Sequence, residues 1–186
     1  MKRDKREQEK SYAIIQVAMM IAGLDGTVKP EEYVAFEDLF RFYGCPDSEL
    51  DGILDKCLES AGYIVLQSQR LPSEELITIF IERARTVLSK RLNEFDDVDR
   101  REAFMLWTIM AMSDSDYSSV ERQGVIALLQ VFNEERNSAE MMLEECERFA
   151  YKLLKLQKAY TDKPTIANKR RCENVLKHIQ KFIKEG

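Results

Sequence analysis

The sequence is poor in the residues that build loops, sheets and reactive centres. Glycine (7) and proline (4) are scarce among 186 residues, which speaks against a loop-rich or all-β chain. His178 is the one histidine, so a Cys/His zinc site is not expected and any histidine-based triad would have to run through it. The four cysteines, Cys45, Cys57, Cys146 and Cys172, form no C-x-x-C pair, and they read as reduced, mostly buried thiols. No apolar run reaches the roughly 18 residues that a transmembrane helix needs. The start, Met1-Lys2-Arg3-Asp4-Lys5-Arg6-Glu7, is charged and lacks a cleavable signal, so a cytoplasmic location is expected. No P-loop, dinucleotide fingerprint or nucleophile elbow occurs, and a non-enzymatic chain is expected.

What remains is apolar and charged: 45% hydrophobic and 33% Asp, Glu, Lys or Arg. Apolar residues recur at helical spacing almost throughout. The spacing predicts helices over about 9–24, 30–43, 47–61, 73–93, 97–113, 118–134, 137–161 and 165–184. The first presents Tyr12, Ile15, Ala18, Met19 and Ala22. The second presents Tyr33, Phe36, Leu39, Phe40 and Tyr43, with Pro30 at its first turn and Gly44 at its end. Tyr63-Ile64-Val65-Leu66 has strand propensity but no partner, and reads as a loop or helix end. Met142, Cys146, Phe149, Leu153, Leu156 and Tyr160 step by four and three; a core helix is preferred over a surface for a partner helix. Trp107, Met19, Met20, Met110 and Met112 read as packing residues. The expected fold is all-α, a compact bundle of about eight helices.

The net charge of −5 is the sum of unlike parts. Residues 11–147 carry a net −15, and residues 148–186 a net +8. A basic C-terminal helix packed on an acidic body is one reading of that asymmetry. An anionic surface or nucleic acid bound through Lys163, Lys169, Arg170, Arg171, Lys177, Lys181 and Lys184 is the other. The acidic body and the lack of an aromatic ladder disfavour nucleic acid.

The chain also repeats itself. At an offset of 89 residues, Ala22-Gly23-Leu24-Asp25 falls on Ala111-Met112-Ser113-Asp114, Glu32 on Glu121, Tyr43 on Phe132 and Cys57 on Cys146. Each copy reads as an apolar helix, an acidic turn, a second helix and then a third. A pseudo-two-fold would bring the acidic turns into relation and would make Asp25, Glu32, Asp114 and Glu121 candidate ligands for a hard divalent cation such as Ca²⁺ or Mg²⁺. Asp116 and backbone carbonyls could add to them. The same glutamates fit helix-capping positions, since Ser118-Ser119-Val120-Glu121 is a capping box. Asp114-Ser115-Asp116-Tyr117-Ser118 opens like an EF-hand loop but has Ser119 where glycine is needed and Val125 in place of the final glutamate.

At these residues the sequence resembles the TerB-like family, which includes tellurite-resistance TerB proteins and the N-terminal domain of a DnaJ-type membrane co-chaperone. The shared mark is Ala-x-x-Asp-Gly, a short acidic turn and a glutamate in the next helix, present twice. Here it runs Ala22-Gly23-Leu24-Asp25-Gly26 to Glu32, and Ala111-Met112-Ser113-Asp114-Ser115 to Glu121, with Ser115 in place of the second glycine. The resemblance covers about residues 10–147. It implies an all-α, internally pseudo-symmetric fold, a stress-response or scaffold role with protein partners, and divalent-metal binding in some members. The expected organisation is a TerB-like domain at 10–161, with repeats at about 12–61 and 101–150 and an intervening helix 73–93, followed by a basic extension at 162–186.

Overall fold

A computed structural model describes residues 5–114, 116–132 and 136–185. Met1 to Asp4 and Ser115 lie outside the described residues, as does the expected end of the sixth helix beyond residue 132. Among the described residues there are eight α-helices and no strand: α1 (Lys5–Ala22), α2 (Pro30–Phe42), α3 (Leu50–Ser68), α4 (Ser73–Leu88), α5 (Asp97–Ala111), α6 (Ser119–Val131), α7 (Arg136–Asp162) and α8 (Ile166–Glu185). The all-α expectation holds. Among the described residues no helix is long and apolar enough to cross a membrane.

Local chemistry accounts for the helix ends. Asp96 Oδ1 accepts the Asp99 backbone N–H at 2.8 Å and starts α5, while Ser118 Oγ accepts that of Glu121 at 3.2 Å and starts α6. Gly44 sits at φ +62°, and the Cys45 N–H closes back on the Phe40 carbonyl at 3.2 Å, which ends α2.

The repeat is carried into three dimensions. α1 and α5 end 89 residues apart, and α2 and α6 begin and end 89 residues apart. α1 packs on α5, while α1 on α6 and α2 on α5 form a reciprocal pair, the contact pattern of an approximate two-fold. α3 closes on α1 as α7 closes on α5. Gly23 permits the first of these approaches, because a Cβ there would lie 2.9 Å from the Ala61 carbonyl oxygen of α3.

Four details differ from the expectations. α1 is buried almost all round from Ala13 to Ala22, not along one face, because α2, α3, α4, α5 and α6 surround it. Tyr33 is exposed, although it was expected on the packed face of α2. Residues 63–66 lie inside α3, which continues to Ser68: Ile64 is buried and the Arg83 guanidinium of α4 lies over the Tyr63 ring, so tertiary contacts override strand propensity. α4 stops at Leu88 rather than 93, and Arg91, now in a turn, pairs with Glu9 of α1 and with Glu94.

Along the α7 seam Cys146 and Leu153 are buried and Met142, Phe149 and Leu156 are half-buried, while Tyr160 is exposed; Leu143 and Ala150 beside the seam are buried too. Trp107 is fully buried, and burial pushes the Cys57 and Cys146 thiols up to about 12, where they stay protonated and inert. α8 packs on α7 and α5 through Ile179, Ile183 and a Phe149–Phe182 ring contact, and the Ile183 carbonyl accepts a bond from Arg101 Nε at 2.8 Å. Its contact with the body is therefore mainly apolar, with the Arg101 bond at its end. Lys169, Arg170, Arg171, Lys177 and Lys181 are all exposed, and the ion pair that Lys181 makes is with Glu185 of the same helix.

Candidate metal centre

The two acidic turns meet at the contact between the repeats. In the first, α1 gives way after Ala22 to a turn in which Gly26 takes φ +99°, and Asp25 Oδ1 accepts the Thr27 N–H at 3.0 Å. In the second, Asp114 Oδ1 accepts the Asp116 N–H at 2.9 Å, the same Asx turn 89 residues later. Here the side chain of Asp116 takes the place of Thr27. One carboxylate oxygen each from Asp25, Asp114 and Asp116 lies within 4.8 Å of the others. The Asp114 side chain is almost fully buried, and that of Asp116 points to solvent.

Within electrostatic reach of Asp25 and Asp114 are the two helix-capping glutamates. Glu32 Oε2 accepts the Lys29 backbone N–H at 2.6 Å, and Glu121 Oε2 accepts that of Ser118 at 2.8 Å. Both capping roles expected of these residues are realised. The α2 cap is one-sided, because a lysine side chain has no acceptor to return. Glu32 is 1% exposed and Glu121 0% exposed. Burial, aided by the charges of Asp114, Glu121 and Asp25, pushes Glu32 up to about 8. Burial likewise pushes Glu121 up to about 7, with Asp25 and Asp114 adding to the effect and the bonds from Ser118 opposing it. Glu121 Oε1 has no hydrogen-bond partner among the described residues. A fully buried carboxylate oxygen with no donor carries the full desolvation penalty of that atom.

Lys29 stands in the middle. Its Nζ touches Asp114 Oδ2, lies 3.0 Å from Asp25 Oδ2 and 3.4 Å from Asp116 Oδ2. The hydrogen bonds to Asp114 and then Asp25 raise its pKa well above the usual lysine range. Sequence reasoning assigned Lys29 no role. The available signal was the Asp25-to-Lys29 spacing of four, which joins the two ends of the turn.

Of the four sequence-derived candidates, Asp25 and Asp114 come together with Asp116 in one cluster around the Lys29 ammonium. Glu32 and Glu121 are not part of that cluster; each is tied by one oxygen to a helix N-terminus, within electrostatic reach of Asp25 and Asp114. Three aspartates face one ammonium, an excess of negative charge that hard cations suit. A wider groove of about 740 Å³ opens beside the second turn, lined by Met112, Tyr117, Arg122, Glu144, Glu147, Arg148 and Tyr151. Within it Glu147 Oε1 accepts from Tyr117 Oη at 2.9 Å and Arg122 Nε at 2.8 Å, which braces the turn against α7. His178 lies on the surface of α8, its Nδ1 2.7 Å from the Asn174 carbonyl oxygen and remote in sequence from both turns.

No protein-family model matches this chain, and no significant match was found among curated proteins or among solved structures.

Proposed function

We propose that this chain is a non-enzymatic, cytoplasmic, TerB-like stress-response or scaffold module that binds protein partners, with a divalent cation organising its two acidic turns. The observation that carries the cation is the cluster of Asp25, Asp114 and Asp116, with Glu32 and the buried Glu121, whose Oε1 is unpartnered among the described residues, within electrostatic reach of it. All five offer hard oxygen, which suits Ca²⁺ or Mg²⁺ better than a softer metal. Asp25, Asp114 and Asp116 would hold the ion, with Glu32 and Glu121 close enough to feel its charge. Bound there, it would neutralise the excess charge and bridge the two repeats.

The test is thermal unfolding of EDTA-stripped protein titrated with Ca²⁺, Mg²⁺, Mn²⁺ and Zn²⁺. The expected result is a saturable rise in melting temperature for a hard cation, amounting to about 2.7 kcal/mol at a hundredfold excess over Kd. Asp25→Asn with Asp114→Asn should abolish it. A flat response to all four cations would leave the carboxylates as caps alone.

A second reading is supported by α8, whose Lys169, Arg170, Arg171, Lys177 and Lys181 are exposed along a helix held by its other, apolar side. Anionic surfaces would bind there with a steep salt dependence. Truncating α8 would also uncover the core around Ile179 and Ile183, so charge reversal is the cleaner test. Lys169→Glu with Lys177→Glu should abolish sedimentation with anionic vesicles while leaving the melting temperature unchanged. Loss of neither, or of both, would remove this reading.

A further inference from the structure

Lys29 holds the position that a cation shared by Asp25, Asp114 and Asp116 would take. Its Nζ is in ion-pair contact with all three, and their oxygens are mutually within 4.8 Å. A calcium ion bound to the same oxygens would sit about 2.3–2.6 Å from each. Ammonium and metal therefore exclude one another.

We propose that Lys29 is a built-in counter-cation, which closes the acidic site in the metal-free chain and must swing out before a divalent cation can enter. This rests on the cation-binding reading above and adds how the site is regulated.

Three features of the fold support the exchange. First, the repeat is broken at this residue: the position 89 later is Ser118, which has no charge and caps α6. One repeat therefore supplies an ammonium at this position and the other none. Second, the Lys29 ammonium pairs with the three aspartates, while the buried Glu121 Oε1, within electrostatic reach of Asp25 and Asp114, has no hydrogen-bond partner among the described residues. A divalent ion brings one charge more than the ammonium it replaces. Third, Lys29 can leave without moving α2. Its side chain is 29% exposed on a flexible four-carbon stem, while its backbone N–H remains fixed to Glu32 Oε2. A tethered competitor acts at high effective concentration, so it lowers the apparent affinity for metal and sets a threshold for binding.

The experiment is calorimetric titration of the full-length, EDTA-stripped protein with CaCl₂, MgCl₂ and MnCl₂, paired with thermal unfolding. Wild type, Lys29→Met, Lys29→Gln and Lys29→Arg are compared. Lys29→Met should bind at least one of these ions about tenfold or more tightly than wild type. Without metal it should melt lower than wild type, and metal should restore it. Lys29→Gln gives the same comparison if the methionine variant does not fold. Lys29→Arg retains the charge and should behave as wild type in both measurements. Equal affinity in wild type and Lys29→Met would overturn the counter-cation role while leaving the cation site standing. Weaker binding in Lys29→Met would overturn it too, by making Lys29 a helper. No binding by any variant would overturn both the site and the exchange.

Discussion

Raising the pH from about 5 to about 8.5 in the absence of divalent cations is expected to lower the melting temperature by roughly 6–12 °C. The cause is the buried pair Glu32 and Glu121, pushed up to about 8 and about 7 respectively from an ordinary value of 4.5. Between those limits the folded chain holds protons that the unfolded chain releases. Folded-state stability from these groups is therefore present near pH 5 and is lost as pH rises through about 7 to 8. The displacements are worth at most about 5 kcal/mol for Glu32 and about 3 kcal/mol for Glu121, and the two share one electrostatic environment, so they do not add and the net effect is on the order of 3 kcal/mol.

The groups facing the pair are Asp25 and Asp114, together with the Lys29 and Ser118 backbones that donate to them. Glu32→Gln with Glu121→Gln keeps an acceptor oxygen for each backbone N–H but removes the buried charge. That variant should melt higher than wild type at pH 8.5 and show a flat profile between pH 5 and 8.5. Thermal unfolding monitored by circular dichroism across that range checks both statements. A wild-type profile already flat without metal would mean that the pair is not held at raised pKa. A saturating hard cation should flatten the wild-type slope too, because its charge favours the ionised glutamates.

The second large effect is mechanical. Trp107→Ala should destabilise the fold by about 3–5 kcal/mol, read as a shift in the urea midpoint at unchanged slope. The indole is fully buried between Phe104, edge-on at 6.1 Å between ring centroids, and Phe132, stacked at 6.2 Å. Its Nε1–H donates to the Ile14 carbonyl at 3.0 Å, which fastens α5 to α1 across the contact between the repeats. Truncation removes both the aromatic packing and this bond. Leu176→Ala on the exposed part of α8 is the matched control, expected within about 0.5 kcal/mol of wild type. A loss at Trp107 no larger than at Leu176 would mean that the repeats are not held together there.

The helices of the repeat were legible in the sequence because their signals are local. Pro30, Ser118 and Glu121 mark helix starts by the chemistry of capping, and Gly44 marks an end that needs a positive φ. The offset of 89 was visible because matched positions face matched environments: Tyr43 and Phe132 are both buried, as are Cys57 and Cys146. Where the reading failed, a distant partner decided. Tyr63 to Leu66 became helix because α4 packs beside them. Arg91 left its helix for Glu9 of α1, and Tyr33 stayed outside although its periodicity was in phase with Phe36 and Phe40.

The candidate site divides in the same way. Sequence determined which carboxylates stand at the two turns, because Asx turns and capping glutamates are written within a few residues of one another. It also determined the all-α class, since helical periodicity and scarce glycine and proline act locally. Only the tertiary structure decided that the turns meet, that Asp116 joins Asp25 and Asp114, and that Lys29 reaches across to them. It also buried Glu32 and Glu121 where solvent cannot pay for their charge. Separations of 85 residues and more in sequence collapse to ion-pair distance at this contact, and burial is a property of neighbours brought in by packing, which no local pattern encodes.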